Sequence, residues 1–285
     1  MRRRVANFWA MALCLAVLAG FAGALHPVGD TLSLFRLPLG LLCALTLFWR
    51  GPRLVRFALV GAATLALSTT LSMMLMRNEG TDLTVYSKNL WFANKDVSAV
   101  VADIMVTNPD IILLQEVSFH NNTLLDHLQH SYPYQHLCPY SGWSGIAVLS
   151  KRPLTASACS QQRGVALAKV AHPDGAFWAA SIHLNWPYPY RNMDSAQAVA
   201  DLLAHRDAPV VMGGDFNIFP WTASVRRIRR AAGNRLAGPA RPSFSLNGAP
   251  LLLDHIYAPG GGSAELRSKL GSDHKGVLAQ VNLRP

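Results

Sequence analysis

Acidic residues are almost absent from the first 79 residues of this 285-residue chain, where only Asp30 and Glu79 occur. The same segment carries eight arginines, whereas the rest of the chain is nearly balanced, with 18 Lys and Arg against 14 Asp and Glu. Most of the net charge of +10 therefore surrounds apolar sequence. Positive charge in this position indicates how a chain is oriented in a membrane, and does not by itself indicate a nucleic-acid surface.

Long apolar runs occur only in this first part of the chain. Residues 8–25, 32–49 and 57–76 are each about as long as a bilayer-spanning helix, roughly 17 to 25 residues. The sequence therefore predicts a membrane anchor over residues 1–79 with about three transmembrane helices, followed by a separate domain over residues 80–285.

Two of the apolar segments allow a second interpretation. The middle one contains Arg36 and Pro38, so it is either a full span or an interfacial or re-entrant segment, with Arg36 able to reach the interface. The first follows an arginine-rich start and contains Ala22-Gly23-Ala24, which also fits a cleaved signal peptide. The two apolar segments that follow it directly favour the anchor.

The arginines also predict an orientation. They precede the first segment and separate the second from the third, whereas the connection over residues 26–31 contains no Lys or Arg. By the positive-inside rule, the amino terminus and the second loop are cytoplasmic. Three spans would make the chain a multi-pass protein of the cell membrane and place the domain outside the cytoplasm.

Cysteine is scarce, with four residues in the chain. No Cys-x-x-Cys pair occurs, and no His ligands stand at zinc-finger spacing, which argues against a zinc site. Cys14 and Cys43 fall inside apolar segments, while Cys138 and Cys159 belong to the predicted domain. A location outside the cytoplasm would allow this second pair to form a disulfide, a hypothesis that the sequence leaves open.

After Gly80 the apolar pattern changes to short strands and amphipathic helices joined by polar turns, which predicts a mixed α/β domain. Helical spacing is present over residues 97–105 and 196–205. Strands are predicted over residues 83–86, 111–114, 146–149, 165–170, 177–183, 210–212, 251–257 and 277–281.

Polar side chains stand repeatedly where a predicted strand ends. They are Asn89, Glu116, His183, Asn185, Asp215, Asn217, Asp254, His255, Asp273 and His274. Carboxylate and amide oxygens suit a hard cation such as Mg²⁺, which can neutralise a phosphate and orient a water, and histidines can donate protons to the phosphate or leaving group. No Gly-x-Ser-x-Gly, Walker-type or His-Glu-x-x-His motif is present, which removes the commonest rival chemistries.

Six of these segments, in chain order, resemble the motif series of the endonuclease/exonuclease/phosphatase family. They are Ser87-Lys88-Asn89-Leu90-Trp91, residues 109–117 ending in Gln115-Glu116-Val117, Ser181-Ile182-His183-Leu184, Gly213-Gly214-Asp215-Phe216-Asn217, Leu253-Asp254-His255-Ile256 and Gly271-Ser272-Asp273-His274. The resemblance, to a membrane-anchored bacterial type, covers nearly all of residues 82–283. It implies a four-layer α/β sandwich, in which two mixed sheets lie face to face and helices flank them.

The resemblance also implies roles for individual residues. Asn89 and Glu116 would bind Mg²⁺ or Mn²⁺, with Asp273 near the metal or hydrogen-bonded beside it. Asp215 would orient or deprotonate the attacking water, and Asn217 would hold a phosphate oxygen. His183 and His274 would flank the scissile phosphate, and Asp254 would pair with His274.

The sequence departs from the family pattern at two places that bear on ligand and substrate. The family's alternative acidic ligand, two residues after Asn89, is here Trp91, so the metal would rest mainly on Glu116. The segment over residues 241–250 is short where relatives often have a longer loop. The substrate is left open among nucleic acid, phospholipid and a small phosphate ester, and no protein partner is inferred. The alternative function is a non-catalytic, membrane-anchored binding domain that retains the fold.

Three further features have both a functional and a structural interpretation. The arginine cluster after Asp215, with members from Arg226 to Arg235, is either a grip for phosphates or lipid head groups or a solvated helix face. The aromatic residues after His183 either form a rim for a base or a lipid or pack within a rigid loop. The histidines at 127, 130 and 136 are either a metal patch or surface residues, and the second interpretation is favoured because no acidic or Cys partners are in register.

Overall fold

The structure is a computed structural model, and it describes residues 2–48, 51–76, 78–141 and 143–285. The helices of these ranges are α1 Arg2–Ala19, α2 Pro27–Ser33, α3 Arg36–Leu45, α4 Arg53–Leu75, α5 Ser98–Thr107, α6 Thr123–Leu128, α7 Asn192–Leu203 and α8 Ala223–Ala231. The strands are β1 Leu83–Asn89, β2 Ile111–Val117, β3 Tyr134–Ser141, β4 Ser144–Ser150, β5 Leu154–Cys159, β6 Val165–Val170, β7 Phe177–His183, β8 Val210–Asp215, β9 Arg235–Gly238, β10 Phe244–Leu246, β11 Ala249–Leu251, β12 Asp254–Ala258, β13 Gly262–Leu266 and β14 Val277–Val281.

We call residues 2–79 the N-terminal segment, or apolar segment. Two mixed sheets form the domain over residues 80–285 that follows it. The first has the order β3-β4-β2-β1-β14-β13, and the second has the order β9-β12-β8-β7-β6-β5. The pairs β1–β2 and β7–β8 are parallel, whereas β1–β14 and β8–β12 are antiparallel. Strand β9 also pairs with β13, which joins the two sheets along one side.

The sheets face each other across a common core and carry helices on their outer faces. The shared cluster includes Val85, Ile111 and Leu113 from the first sheet and Ala168, Ala179 and Val211 from the second. Outside the first sheet, α5 contributes Val100 and Ile104; outside the second, α7 and α8 contribute Val199 and Ile228. Strands covered on both faces have continuous apolar sequence, as in Ile111-Ile112-Leu113-Leu114. The predicted α/β architecture of two facing mixed sheets flanked by helices is therefore confirmed.

On the side opposite β9, a disulfide joins the two sheets. Cys138 of edge strand β3 is bonded to Cys159 of edge strand β5, with Cα atoms 5.6 Å apart, so the pairing hypothesis left open by the sequence is confirmed by the structure. The His136 ring lies against this bond, with Nε2 3.2 Å from Cys138 Sγ. His127 and His130 are exposed, in agreement with their interpretation as surface residues.

Two predictions about secondary structure are wrong in detail. The predicted strand over residues 251–257 is interrupted, because Leu253 O accepts a hydrogen bond from Phe216 N at 2.9 Å and Leu252 and Leu253 turn into the outer core. The arginine cluster is not confined to one helix, since Arg235 begins β9.

The apolar segment contains fewer candidate spans than the sequence predicts. Among the described residues, α4 is long and apolar enough to cross a membrane, and α2 with α3, bent by 59°, would be a second if the pair is one span. The apolar helix Arg4–Ala19 is shorter than the length required, so the expectation of three transmembrane helices is not supported. Trp49, Arg50 and Arg77, which border the predicted spans, lie outside the described residues.

Arg36 begins α3 directly after the break that separates it from α2. Its side chain is buried, and its Nη2 donates to Gly20 O at 2.7 Å while the guanidinium stacks 3.7 Å over the Phe21 ring. The predicted reach of Arg36 to a membrane interface is therefore wrong, because its charge is used inside the protein.

Asp30 fixes the apolar segment to the following domain. Its buried carboxylate accepts hydrogen bonds from Ala223 N at 2.7 Å and Ser224 N at 2.8 Å, and from the Ser224 hydroxyl. These amides belong to the first turn of α8, where a negative charge is favourable because the amides have no partner within the helix. Trp221 Nε1 donates to Ser33 O at 2.9 Å beside this contact.

Replacing Asp30 is expected to destabilise the whole chain. In Asp30→Ala, the two α8 amides lose a charged acceptor in a buried place, which should cost about 2 kcal/mol or more. The measurement is the midpoint of thermal unfolding of the full chain in detergent. Glu79→Ala is the matched control because Glu79 is exposed. Equal shifts in the two variants would show that the Asp30 contact contributes nothing.

Candidate active site

The predicted site residues lie together at one end of the sandwich. Asn89, His183 and Asp215 end strands β1, β7 and β8, and Asp254 begins β12. In the sheet register, Asp215 stands beside His183 on one side and Asp254 on the other. His274 lies in the loop before β14. With Glu116 near the end of β2, six separate sequence segments thus meet around one cleft.

Backbone geometry at two strand ends sets the direction of the acidic side chains. Glu116 has φ of 56°, in the left-handed region, at a bulge where β2 shifts its register against β4. Gly214 has φ of 149°, and a Cβ there would collide with the Ile182 backbone of β7. Glycine before Asp215 therefore lets β8 approach β7 closely enough to bring Asp215 beside His183.

Asp215 is the centre of the cluster. Its Oδ2 lies 3.1 Å from Asn89 Nδ2, 3.6 Å from His183 Nε2 and 3.7 Å from His274 Nε2. Its Oδ1 accepts from Asn217 N at 2.8 Å. Burial raises the pKa of Asp215 to about 7, although the neighbouring His274 lowers it. A carboxylate with a pKa near neutrality can accept a proton from water.

Glu116 and Asn89 lie on one side of Asp215. Asn89 Nδ2 donates to Glu116 Oε1 at 3.2 Å as well as to Asp215, and Asn89 Oδ1 accepts from Trp91 N at 2.9 Å. Glu116 Oε2 accepts from Phe92 N at 2.9 Å. The Glu116 side chain retains 18% exposure, so it is the acid of this cluster that solvent or a ligand reaches.

His274 and Asp254 form a buried pair on the other side. His274 Nδ1 lies 2.8 Å from Asp254 Oδ2, and the Asp254 side chain is 1% exposed. Burial alone would lower the pKa of His274, but the carboxylates of Asp254 and Asp215 outweigh burial and raise the pKa to about 10. His274 is therefore a cation at neutral pH, with Nε2–H directed at the centre of the cleft.

His183 has the opposite charge state. Burial, with Arg163 and His274 adding repulsion, holds the pKa of His183 well below its usual range. The neutral ring has its Nδ1 3.0 Å from the Tyr140 hydroxyl and its Nε2 3.7 Å from Glu116 Oε1. Because Nε2 lies near the Glu116 and Asp215 carboxylates, we assign the ring proton to Nε2, with Nδ1 accepting from the Tyr140 hydroxyl.

Asn217 and Asp273 are less directly joined to the cluster. Asn217 Nδ2 donates to Leu184 O at 2.9 Å, which leaves its second amide hydrogen for a ligand. Asp273 is half-buried and is held through Ser272, whose hydroxyl donates to Asn89 O at 2.8 Å. Among the described residues, no hydrogen bond joins the Asp273 carboxylate to Glu116 or Asn89. Its role in metal binding stays a prediction.

Two strand-end residues singled out by the sequence are not part of this cluster. His255 is fully buried between the rings of Phe216 and Tyr257 and bonds Ile218 O, so its role is in packing. Asn185 lines a separate polar cavity with Arg163 and Arg191.

A second group of possible metal ligands overlaps the site. Asp215, Asp254 and His274 lie within 4.8 Å of one another by their ligand atoms. In this group, His274 Nδ1 is already paired with Asp254 Oδ2 at 2.8 Å. The accessible carboxylate of Glu116 is the more suitable ligand.

Three residues of the site were not identified from the sequence: Lys88, Tyr140 and Phe244. Lys88 lies in the motif Ser87-Lys88-Asn89-Leu90-Trp91. A lysine within a largely buried strand could have indicated a buried functional charge. Phe244 stacks on His274 with ring centroids 4.6 Å apart, within the short segment over residues 241–250. Nothing in the local sequence around Tyr140 distinguishes it from other strand tyrosines.

Lys88 holds the loop that carries His274. Its side chain is fully buried, and Nζ donates to Lys269 O at 2.6 Å and His274 O at 2.7 Å. Burial lowers the pKa of Lys88 to about 8, against the raising effect of Asp254 and other acids. Because the ammonium group donates to a carbonyl near the start of the loop, at Lys269, and to another near its end, at His274, it fixes the position of the loop backbone.

Lys88→Met is expected to lower kcat by on the order of tenfold to a hundredfold, the usual effect of losing a residue that orients a ligand or catalytic group. KM for a small nitrophenyl phosphodiester should change little, since Lys88 does not face the cleft. Lys95→Met is the control because Lys95 is exposed. A kcat equal to that of the control in a folded Lys88→Met protein would contradict the role of Lys88 in positioning the loop.

The fold and the site define a class of protein, and sequence comparison identifies it. Residues 86–274 match the Endonuclease/Exonuclease/phosphatase family, and the chain belongs to that family. The match begins after the apolar segment and includes all of the site residues described above. Membership supports a phosphoester hydrolase or nuclease, and the family is typically dependent on a divalent metal. No curated protein sequence matches the chain significantly.

Solved structures similar to this chain share its fold. An endonuclease/exonuclease/phosphatase from Bacteroides vulgatus is 16% identical, with a TM-score of 0.58 over 70% of this chain and 98% of that one. Beta toxin from Staphylococcus aureus is 17% identical, with a TM-score of 0.54 over 70% of this chain and 100% of that one. TDP2 of D. rerio, complexed with a single strand DNA product, is 17% identical, with a TM-score of 0.55 over 69% of this chain and 97% of that one.

Proposed function

We propose that this chain is a metal-dependent phosphoesterase that hydrolyses a phosphate ester at a membrane surface by in-line attack of an activated water. The observation that carries the proposal is the convergence of Asn89, His183 and His274 on one oxygen of Asp215, with Glu116 alongside. One small volume is thus surrounded by four groups of different character. They are a base (Asp215), a neutral donor (His183), a cationic donor (His274) and an accessible acid (Glu116).

The charge states of these residues support different roles. Asp215 accepts the proton of the attacking water, because a pKa of about 7 keeps a large share of the carboxylate ionised at neutral pH while making it a stronger base than an ordinary carboxylate. His274, held protonated by Asp254, donates its Nε2–H to a phosphoryl oxygen or to the leaving group. His183 donates its Nε2–H as a neutral group, and Asn217 uses its free amide hydrogen on a phosphate oxygen.

The donor set fits a hard divalent cation. Glu116 and Asp215 are two carboxylates that share the single donor Asn89 Nδ2, and hard oxygen ligands of this kind suit Mg²⁺ or Mn²⁺. Glu116 would hold the ion, with Asn89 orienting the carboxylate or supplying its own oxygen, and Asp273 nearby. When bound, the ion neutralises phosphate charge and favours attack by water.

The apolar segment supports action at a membrane. Helix α4 has the length and composition of a span, and large apolar side chains of the segment are exposed, including Phe8, Trp9, Phe48 and Phe57. Exposed apolar side chains of this kind support a membrane contact in the proposal. The location of the domain outside the cytoplasm rests on Arg50, which precedes α4 in the sequence, and on Arg53 and Arg56 at the start of α4, because the positive-inside rule assigns this end of the helix to the cytoplasm. The disulfide agrees with this location.

The test is release of nitrophenol from bis-nitrophenyl phosphate by the full chain in detergent. Activity should require added Mg²⁺ or Mn²⁺ and disappear with excess chelator. Glu116→Gln should raise the metal concentration for half-maximal activity about tenfold or more, because it removes the ligand charge. Glu265→Gln is the matched control, since Glu265 is exposed and outside the site.

No metal-dependent hydrolysis of any phosphoester by a folded wild-type chain would favour the alternative of a non-catalytic, membrane-anchored binding domain. A metal requirement unchanged in Glu116→Gln would instead reject Glu116 as the principal ligand while leaving the activity established.

A further inference from the structure

An apolar cavity of about 620 Å³ lies between the N-terminal segment and the catalytic domain. Leu34 and Leu37 line it on one side, and Trp186, Phe219 and Leu251 line it on the other. We call this cavity the apolar groove. Its volume falls in the range of about 300 to 1,000 Å³ that is usual for small-molecule sites. The N-terminal segment is therefore part of a cavity wall as well as a candidate anchor.

The apolar groove reaches the catalytic cluster. Asn217, two residues after Asp215, is one of its lining residues. Phe244 forms a connecting surface, with its ring 4.6 Å from the His274 ring and 6.1 Å from the Trp186 ring between centroids. A phosphate held at Asp215 and His274 would thus direct one ester substituent along Phe244 into the groove.

The other end of the apolar groove lies against the candidate spanning helices. Met74, near the end of α4, lines the groove, as do Leu37 and Pro38 of α3. Phe35 is 53% exposed at the start of α3, and Leu45 is 66% exposed at its end. Helix α3 thus contributes side chains both to the groove and to the exposed apolar surface, so the groove would lie next to the hydrocarbon of a bilayer around this helix.

The lining also discriminates between substrate classes. Among the described residues, no Lys, Arg, Asp or Glu lines the apolar groove. Nucleic acid is held chiefly by cationic contacts to successive phosphates, and a groove without charge provides none. Hydrocarbon gains free energy from burial in such a lining in proportion to the area buried.

We propose that the apolar groove binds the hydrocarbon chain of a lipid phosphoester whose phosphate is hydrolysed at Asp215 and His274. This proposal rests on the proposed function and names its substrate class. It also assigns specificity to the N-terminal segment, since Leu34, Leu37 and Met74 form one wall. The Asp30 contact with α8 keeps that wall in place.

The experiment compares nitrophenyl phosphodiesters that differ in their second ester group. A methyl diester, a hexadecyl diester, a farnesyl diester and thymidine nitrophenyl phosphate are supplied to the full chain in mixed micelles. The wild-type kcat/KM should be at least about tenfold higher for a long-chain diester than for the methyl diester, because the chain is buried in the groove. A preference for either long-chain diester supports the proposal. A preference for the hexadecyl diester points to a lipid with a linear hydrocarbon chain, and a preference for the farnesyl diester points to an isoprenoid lipid.

Substitutions in both walls separate groove binding from simple partition into micelles. Leu37→Gln and Leu246→Gln place an amide in the apolar groove from opposite sides. Both variants should lose most of the chain preference while hydrolysing the methyl diester as the wild type does. Leu41→Gln is the matched control, because Leu41 lies on the same helix as Leu37, is 49% exposed and does not line the groove. It should keep the preference.

Three results would overturn the proposal. They are equal kcat/KM for the methyl and both long-chain diesters, a chain preference kept by both groove variants, and a higher kcat/KM for the thymidine diester than for either long-chain diester. Hydrolysis of none of the four substrates would instead reject the proposed function, so the two failures are distinguishable.

Discussion

Asp215→Asn should lower kcat for phosphodiester hydrolysis by about a hundredfold to ten-thousandfold, the range for a positioned general base. Asparagine has the same size and can still accept from Asn217 N, but it cannot take a proton from water. It also presents an amide in place of the oxygen on which Asn89, His183 and His274 converge.

Steady-state kinetics with bis-nitrophenyl phosphate at saturating Mg²⁺ measures this loss. Asp126→Asn is the matched control, because the Asp126 side chain is exposed and makes no contact with the site. Circular dichroism should show the same fold for both variants. If kcat of Asp215→Asn stays within about tenfold of the wild type, Asp215 does not act as the base.

His274→Ala should lower kcat by on the order of a hundredfold or more, because it removes the cationic donor of the site. Asp254→Ala should lower kcat less, since the imidazole remains but loses the carboxylate that keeps it protonated and oriented. If the two act as a unit, as their 2.8 Å contact and mutual burial indicate, the double variant should be little worse than His274→Ala alone.

The measurement is the full double-mutant cycle in kcat, with His127→Ala as the control for an exposed histidine. Losses that multiply in the double variant would show that Asp254 and His274 act separately. That result would reject the pairing role of Asp254 and leave the role of His274 intact.

Most of the catalytic cluster could be predicted from the sequence because its residues stand in short local motifs. Asn89, Glu116, His183, Asp215 and Asp254 each border an apolar strand, and strand ends at one edge of a sheet converge. The metal-binding role of Asp273 follows from the family resemblance and stays a prediction, since among the described residues its carboxylate makes no hydrogen bond with Glu116 or Asn89. A motif fixes which residues lie near the cleft, whereas the side-chain direction within a loop depends on what the loop packs against.

The residues missed by the sequence act through contacts between distant segments. Tyr140 bonds a ring 43 residues away, and Lys88 bonds carbonyls 181 and 186 residues away. Neither contact produces periodicity in the sequence, because pairing of this kind depends on where separate strands meet. The number of candidate spans was overestimated for a related reason: apolar content is similar in a spanning helix and in the bent, docked pair α2–α3.

The amino-acid sequence was sufficient to predict the α/β class, the family resemblance, the order of the site motifs and the strongly apolar character of the first 79 residues. The packing of distant segments was needed to show that Asp30 and Arg36 are used inside the protein, that Cys138 joins Cys159, and that the N-terminal segment forms one wall of the apolar groove. Local motifs and apolar runs report propensities of neighbouring residues. A buried charge or a cavity wall exists only when segments far apart in the chain pack together, since only then is water excluded and a new set of partners supplied.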